Sequence, residues 1–149
     1  MSGRNTFAIP ECCSLAARLA LGALPSAVPR ARAYTRVVLA VWGLKRVAED
    51  AEVAVCELTA NAVTHGSASA GGRDDGIPAV HLCLAASVDR FIVDVWDGSP
   101  LPPVMRRDVP GEFESGRGLL LVDALCETWR WDIVPGWHGK RVRAVLAVR

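Results

Sequence analysis

The sequence predicts an α+β sandwich in one domain, and three observations predict it. Four segments rich in β-branched and aromatic residues, 80–87, 91–96, 128–134 and 140–148, are bounded by turn residues and read as strands. Three others, 27–42, about 49 to 65, and 119 to about 127, carry apolar residues at helical spacing. The chain has 149 residues, 51% of them hydrophobic, which suits a single sizeable core.

Each element has a local reason. Residues 1–14 read as a loosely held segment, and residues 15–149 as the domain. Residues 15–21 form a candidate first strand, ended by Gly22 and Pro25. The helix over 27–42 has Ser26 as its N-cap candidate and tolerates Pro29 in its first turn. The second helix opens near Glu49 and stops at Gly66. Residues 67–78, with Gly71-Gly72 and Asp74-Asp75, read as a surface loop whose acids are solvated. Strands 80–87 and 91–96 join at Asp89. Residues 99–116 are proline-rich and lack periodicity, as functional lids often do. After the third helix, two last strands join through Pro135-Gly136-Trp137-His138-Gly139. Trp129 and Trp131 alternate with polar neighbours, which suits packing in the core or on a sheet face.

Composition excludes several classes. Seventeen Lys and Arg against sixteen Asp and Glu give a net charge of +1, with none of the clustered excess a nucleic-acid surface needs. Arg30, Arg32 and Arg36 share one helix; a solvated face accounts for them before a partner patch does. No signal peptide shows in the first residues, and no apolar run is long enough to span a bilayer. The expected location is the cytoplasm. Five cysteines without paired spacing fit that compartment rather than a disulfide framework or a zinc site. Cys56, Cys83 and Cys126 read as small buried hydrophobes; Cys12-Cys13 could also be an exposed redox pair.

The most informative stretch is Glu57-Leu58-Thr59-Ala60-Asn61-Ala62-Val63-Thr64-His65-Gly66. Glu57 and Asn61 are four residues apart, so their side chains stack on one face of the helix, with Thr64 near that direction and His65 at its edge. A helix apolar elsewhere and polar along one stripe can line a wet cavity. An acid and an amide there suit a metal-bound phosphate, the amide oxygen ligating Mg²⁺ and the acid accepting a proton. Taken alone, the stripe is better read as a solvent-facing surface with an incidental Glu and Asn. Two further segments favour the cavity. The strand over 91–96 delivers Asp97 to its end, just before Gly98-Ser99-Pro100; an Asp there could also simply form the turn. Then Gly116-Arg117-Gly118 opens an apolar helix beginning Leu119-Leu120-Leu121, whose free N–H groups and positive dipole end suit an anion.

The order and spacing of these three segments resemble the ATP-binding domain of the GHKL superfamily, which includes gyrase and the histidine kinases. Within it, the chain is most similar to the small bacterial anti-sigma factor serine/threonine kinases and related actinobacterial regulators. Residues 57–66 match the family's N box, Asp97 begins its first glycine box, and residues 116–122 match its second. The resemblance covers roughly residues 18–149. It implies a two-layer α/β sandwich with a mixed, mostly antiparallel sheet covered on one face by helices, and it implies ATP and Mg²⁺ as cofactors. It further implies that Asp97, beside Gly98, accepts the adenine amino group and that Asn61 ligates Mg²⁺. Glu57 would be the general base on a serine or threonine hydroxyl. Gly116 and Gly118 would let the backbone close over the phosphates, with Leu119 behind them, and Arg117 would reach the γ-phosphate. His65 would orient the lid or loop rather than touch phosphate.

One departure stands out. The first glycine box of the superfamily usually runs Asp-x-Gly-x-Gly, whereas here a proline-rich run, Pro100-Leu101-Pro102-Pro103, takes the second glycine's place. Proline fixes φ and stiffens the chain, so the expected lid is less mobile. Two functions therefore stand. One is an ATP-dependent anti-sigma regulator that binds a sigma factor or phosphorylates a STAS-domain anti-anti-sigma partner. The other is a nucleotide-sensing scaffold without kinase activity. A relative of a sensor histidine kinase is disfavoured, because His65, His81 and His138 all fall inside the domain. A homodimer is a further expectation; membrane and direct nucleic-acid partners are not expected.

Overall fold

The computed structural model describes residues 9–65, 77–103, 117–136 and 138–148. Their elements run β1 (Leu15–Gly22), α1 (Ala27–Trp42), a short 3-10 turn (Lys45–Val47), α2 (Ala48–His65), β2 (Ala79–Ala86), β3 (Arg90–Asp97), α3 (Arg117–Leu125), β4 (Thr128–Ile133) and β5 (Lys140–Ala147). The strands form one sheet in the order β1-β2-β3-β5-β4. Every pairing among these strands is antiparallel. The predicted sandwich is therefore present, and β5 enters between β3 and β4 by a non-consecutive step. The loop over 67–76 and the connection over 104–116 lie outside the described residues.

Register assigns the two faces. Successive side chains of a strand point to opposite sides, so Leu82, Leu84, Val93, Val95, Val142 and Ala144 all face the helices. They are buried there with Val55, Leu58 and Ala62 of α2 and Leu119 and Val122 of α3 in one core. Trp42 of α1 closes an edge of it by meeting Phe91 edge-on, with ring centroids 6.3 Å apart. Because β3 is central, nearly all of it is buried on both faces. The opposite face of the sheet buries Cys83, Ala85, Ile92 and Trp96 beside a charged pair. There Arg143 donates two hydrogen bonds of 2.7 Å to Asp94, directly across from it on β3. Arg141 stacks over the Trp96 ring and also pairs with Asp132.

Several local readings are refined. The α1 helix spans the predicted residues, but Ser26 makes no side-chain cap. The helix end is what the sequence chemistry seals: Gly43 takes φ 71°, and its N–H bonds back to Ala40 while Leu44 N–H bonds to Leu39. Arg32 and Arg36 converge on Glu52 of α2, an exposed pairing that contributes little to stability. Trp129 packs against the core, whereas Trp131 on the edge strand stays partly exposed. All five cysteines are free thiols. Burial pushes Cys13, Cys83 and Cys126 up to about 11, which favours the protonated thiol.

Candidate functional site

The face of α2 that carries Glu57 and Asn61 is half-buried, while Leu58, Thr59 and Ala62 around it are buried. The helix thus rests on the core by its apolar side and turns the acid and the amide, one turn apart, to its margin. Thr64 and His65 are exposed at the helix end. Gly66 lies outside the described residues.

The start of α3 comes directly against Glu57. A Cβ placed on Gly118 would fall 2.3 Å from Glu57 Oε2 and 3.3 Å from Glu57 Cβ. Only a residue without a side chain lets these two helices approach so closely. The contact sets the Glu57 carboxylate at a helix N-terminus, where the first N–H groups have no partner within the helix and the dipole is positive. Arg117 begins α3. Leu119 buries its side chain in the core, so what it can offer a ligand is its backbone N–H. Gly116 lies outside the described residues.

Asp97 ends β3 on the face of the sheet that bears the helices, 2% exposed. Its Oδ1 accepts the Ser99 N–H at 2.8 Å, the turn contact that an Asp-Gly-Ser sequence favours. The Lys140 ammonium reaches the same Oδ1 at 3.0 Å and Oδ2 at 2.9 Å, and it also reaches the Ser99 carbonyl at 3.3 Å. Burial pushes the Asp97 carboxyl above its ordinary range; the hydrogen bonds from Lys140 and Ser99 N–H pull it back, as does the nearby His65 charge. Gly98 is half-buried between these groups. Gly139 packs on the same turn, where a Cβ would lie 1.8 Å from the Asp97 carbonyl oxygen.

These residues fit a magnesium–nucleotide group. Asn61 offers a hard amide oxygen, Glu57 an acid, and α3 a set of N–H donors. Among the described residues no cluster of three or more His, Cys, Asp or Glu could cage a metal by itself. Mg²⁺ typically takes only one or two protein ligands and completes its shell with phosphate oxygens and water. A family model described as the histidine kinase-like ATPase domain matches residues 21–146. The chain belongs to this family. No curated protein matches the chain. ATP binding goes with a histidine kinase-like ATPase domain, and the match takes in both helices of the site and the strand that ends at Asp97. Among the described residues no helix is long and apolar enough to cross a membrane.

The reading of the sequence missed Lys140, Ser99 and Gly139. Ser99 carried a signal, since a serine two residues after an Asp is a common turn partner. Lys140 carried none: it stands 43 positions from Asp97, on a strand whose neighbours no local pattern reveals.

Proposed function

We propose that this domain is an anti-sigma-type regulator that binds ATP with Mg²⁺ and transfers the γ-phosphoryl group to a serine or threonine of a STAS-domain anti-anti-sigma partner. The observation that carries the reading is the Glu57–Gly118 contact. It sets an acid beside the helix terminus that attracts phosphate, one turn from the amide of Asn61.

In this reading Asp97 accepts a hydrogen bond from the adenine amino group. The N–H groups at the start of α3 donate to phosphate oxygens, and Asn61 offers its oxygen to Mg²⁺. When bound, Mg²⁺ neutralises charge on the phosphates. Glu57 takes the proton of the incoming hydroxyl as its oxygen bonds to the γ-phosphorus. The bond from that phosphorus to the bridging oxygen breaks, and ADP leaves.

A second reading, a non-catalytic nucleotide-sensing scaffold, draws support from Pro100, Pro102 and Pro103, which stiffen the chain just after Asp97. The deciding experiment follows labelled γ-phosphate from ATP to a STAS-domain partner captured from the native host, beside a measurement of partner affinity with and without ATP. Label on a partner serine or threonine supports the kinase. A partner that never takes label, yet changes affinity with ATP, replaces the kinase by the scaffold.

A further inference from the structure

We propose that Lys140 is the positioning residue of the base subsite: its buried ammonium holds the Asp97 carboxylate charged and in one orientation, ready to accept the amino group of an adenine. The inference rests on the nucleotide reading above and adds to it a residue from outside the three sequence motifs.

The geometry is a closed ring. Asp97 and Lys140 stand opposite each other in the β3–β5 register, so both side chains leave the sheet on the helix-bearing face. Both side chains are 3% exposed. The ammonium contacts both carboxylate oxygens and the Ser99 carbonyl, while Ser99 N–H holds Oδ1. Two donors from different directions fix the plane of the carboxylate as well as its position. Gly139 makes the arrangement rigid, because its backbone packs directly on the Asp97–Gly98 peptide with no room for a Cβ. Lys140 therefore arrives from a strand that cannot slide away from the acid.

A cation is needed here rather than any donor. A buried carboxylate without a counter-charge is costly and moves toward its neutral form. Burial is the largest influence on Asp97 in that direction, and the hydrogen bond from Lys140 is the largest opposing it. A neutral carboxyl accepts a hydrogen bond roughly half as strongly as a carboxylate. Its proton would also turn one oxygen into a donor facing the donor amine. The lysine keeps the acid in the form that reads adenine.

The test compares ATP with purine riboside triphosphate, which differs by lacking the 6-amino group. Calorimetry on the unaltered protein is expected to show ATP favoured by about tenfold or more, the size of a hydrogen bond to a charged group. In Lys140→Met the preference is expected to shrink to within about threefold, with the analogue's own affinity little changed. Lys140→Gln keeps an N–H donor without the charge; its preference is expected to fall between the two, and it decides the matter should Lys140→Met not fold. A folded variant that weakens both nucleotides equally, with the preference intact, overturns the proposal, because Lys140 then only pins the turn. A preference that rises overturns it too, because the ammonium then competes with the base. Should the unaltered protein bind neither nucleotide, the nucleotide reading itself falls, and this inference falls with it.

Discussion

Gly118 lets the start of α3 press against Glu57, so that a Cβ at position 118 would lie 2.3 Å from Oε2, 3.2 Å from Cδ and 3.3 Å from Cβ of the glutamate. The carboxylate end can swing aside; the Glu57 Cβ, fixed to α2, cannot. Gly118→Ala is expected to displace the acid and cut phosphoryl transfer by about tenfold or more, one hydrogen bond's worth of transition-state geometry. Stability should move little, because alanine favours the helix by about 1 kcal/mol and offsets the crowding. Melting curves beside transfer assays check both halves. Unchanged transfer in a folded variant removes the contact from the chemistry.

Glu57→Gln keeps the size of the side chain and removes its basicity. Transfer should fall by about 10²–10⁴-fold, with ATP affinity nearly intact. Single-turnover rates and calorimetry separate the two effects. An affinity loss as large as the rate loss would mean that Glu57 helps hold the metal rather than accepting a proton.

Asn61→Ala takes away a candidate Mg²⁺ ligand on a half-buried helix face. The magnesium-dependent part of ATP affinity should disappear, while ADP binding without magnesium stays close to that of the unaltered protein. Equal losses with and without Mg²⁺ would make Asn61 a structural residue.

Asp97→Asn removes the charged acceptor and leaves the Lys140 ammonium buried against a neutral amide. ATP affinity should weaken by about 1–3 kcal/mol, as when a hydrogen bond to a charged group is lost. Stability should fall by about 3–5 kcal/mol, as when one partner of a buried ion pair is removed. Denaturant unfolding measures the second effect. A stable variant that binds ATP normally excludes Asp97 from the base subsite and the Lys140 pair from the fold's stabilising contacts.

On the far face of the sheet, Arg143 and Asp94 form a second buried pair among the described residues, with side-chain exposures of 8% and 5%. Arg143→Leu strands the acid and should cost about 3–5 kcal/mol of stability. ATP affinity of the folded protein should stay the same, because β5 places Arg143 on the opposite side from Lys140. A selective loss of nucleotide binding with stability unchanged would refute that division between the faces.

Much of the architecture was legible without coordinates. Helical spacing of apolar residues marked the helices, and β-branched and aromatic runs between turn residues marked the strands. Together these signals located β1, β3 and β5 to within a residue or two and gave α1 its full span. The spacing of Glu57 and Asn61 predicted a shared helical face, and both lie at the margin of α2. Caps were less legible. Ser26 has the right chemistry for a cap, but its backbone is already helical at φ −65° and ψ −14°, so its hydroxyl makes no cap bond.

The order of residues along the chain sets which of them alternate to a core and where the acid, the amide and the glycine-flanked helix start fall. What those groups touch is set by how the elements pack. Strand periodicity states which face a side chain takes, but not which strand lies beside it, and β3 pairs with β5, which lies between it and β4, rather than with β4, the next strand along the chain. That pairing seats Lys140 on Asp97 and Arg143 on Asp94, across separations of 43 and 49 residues. The close approach of Gly118 to Glu57 has the same origin, because two helices meet where packing of their apolar faces on one sheet directs them. Local propensity is a property of neighbours in the chain, whereas these pairings minimise the cost of burying charge and volume in a shared core, and that cost exists only once the chain has folded.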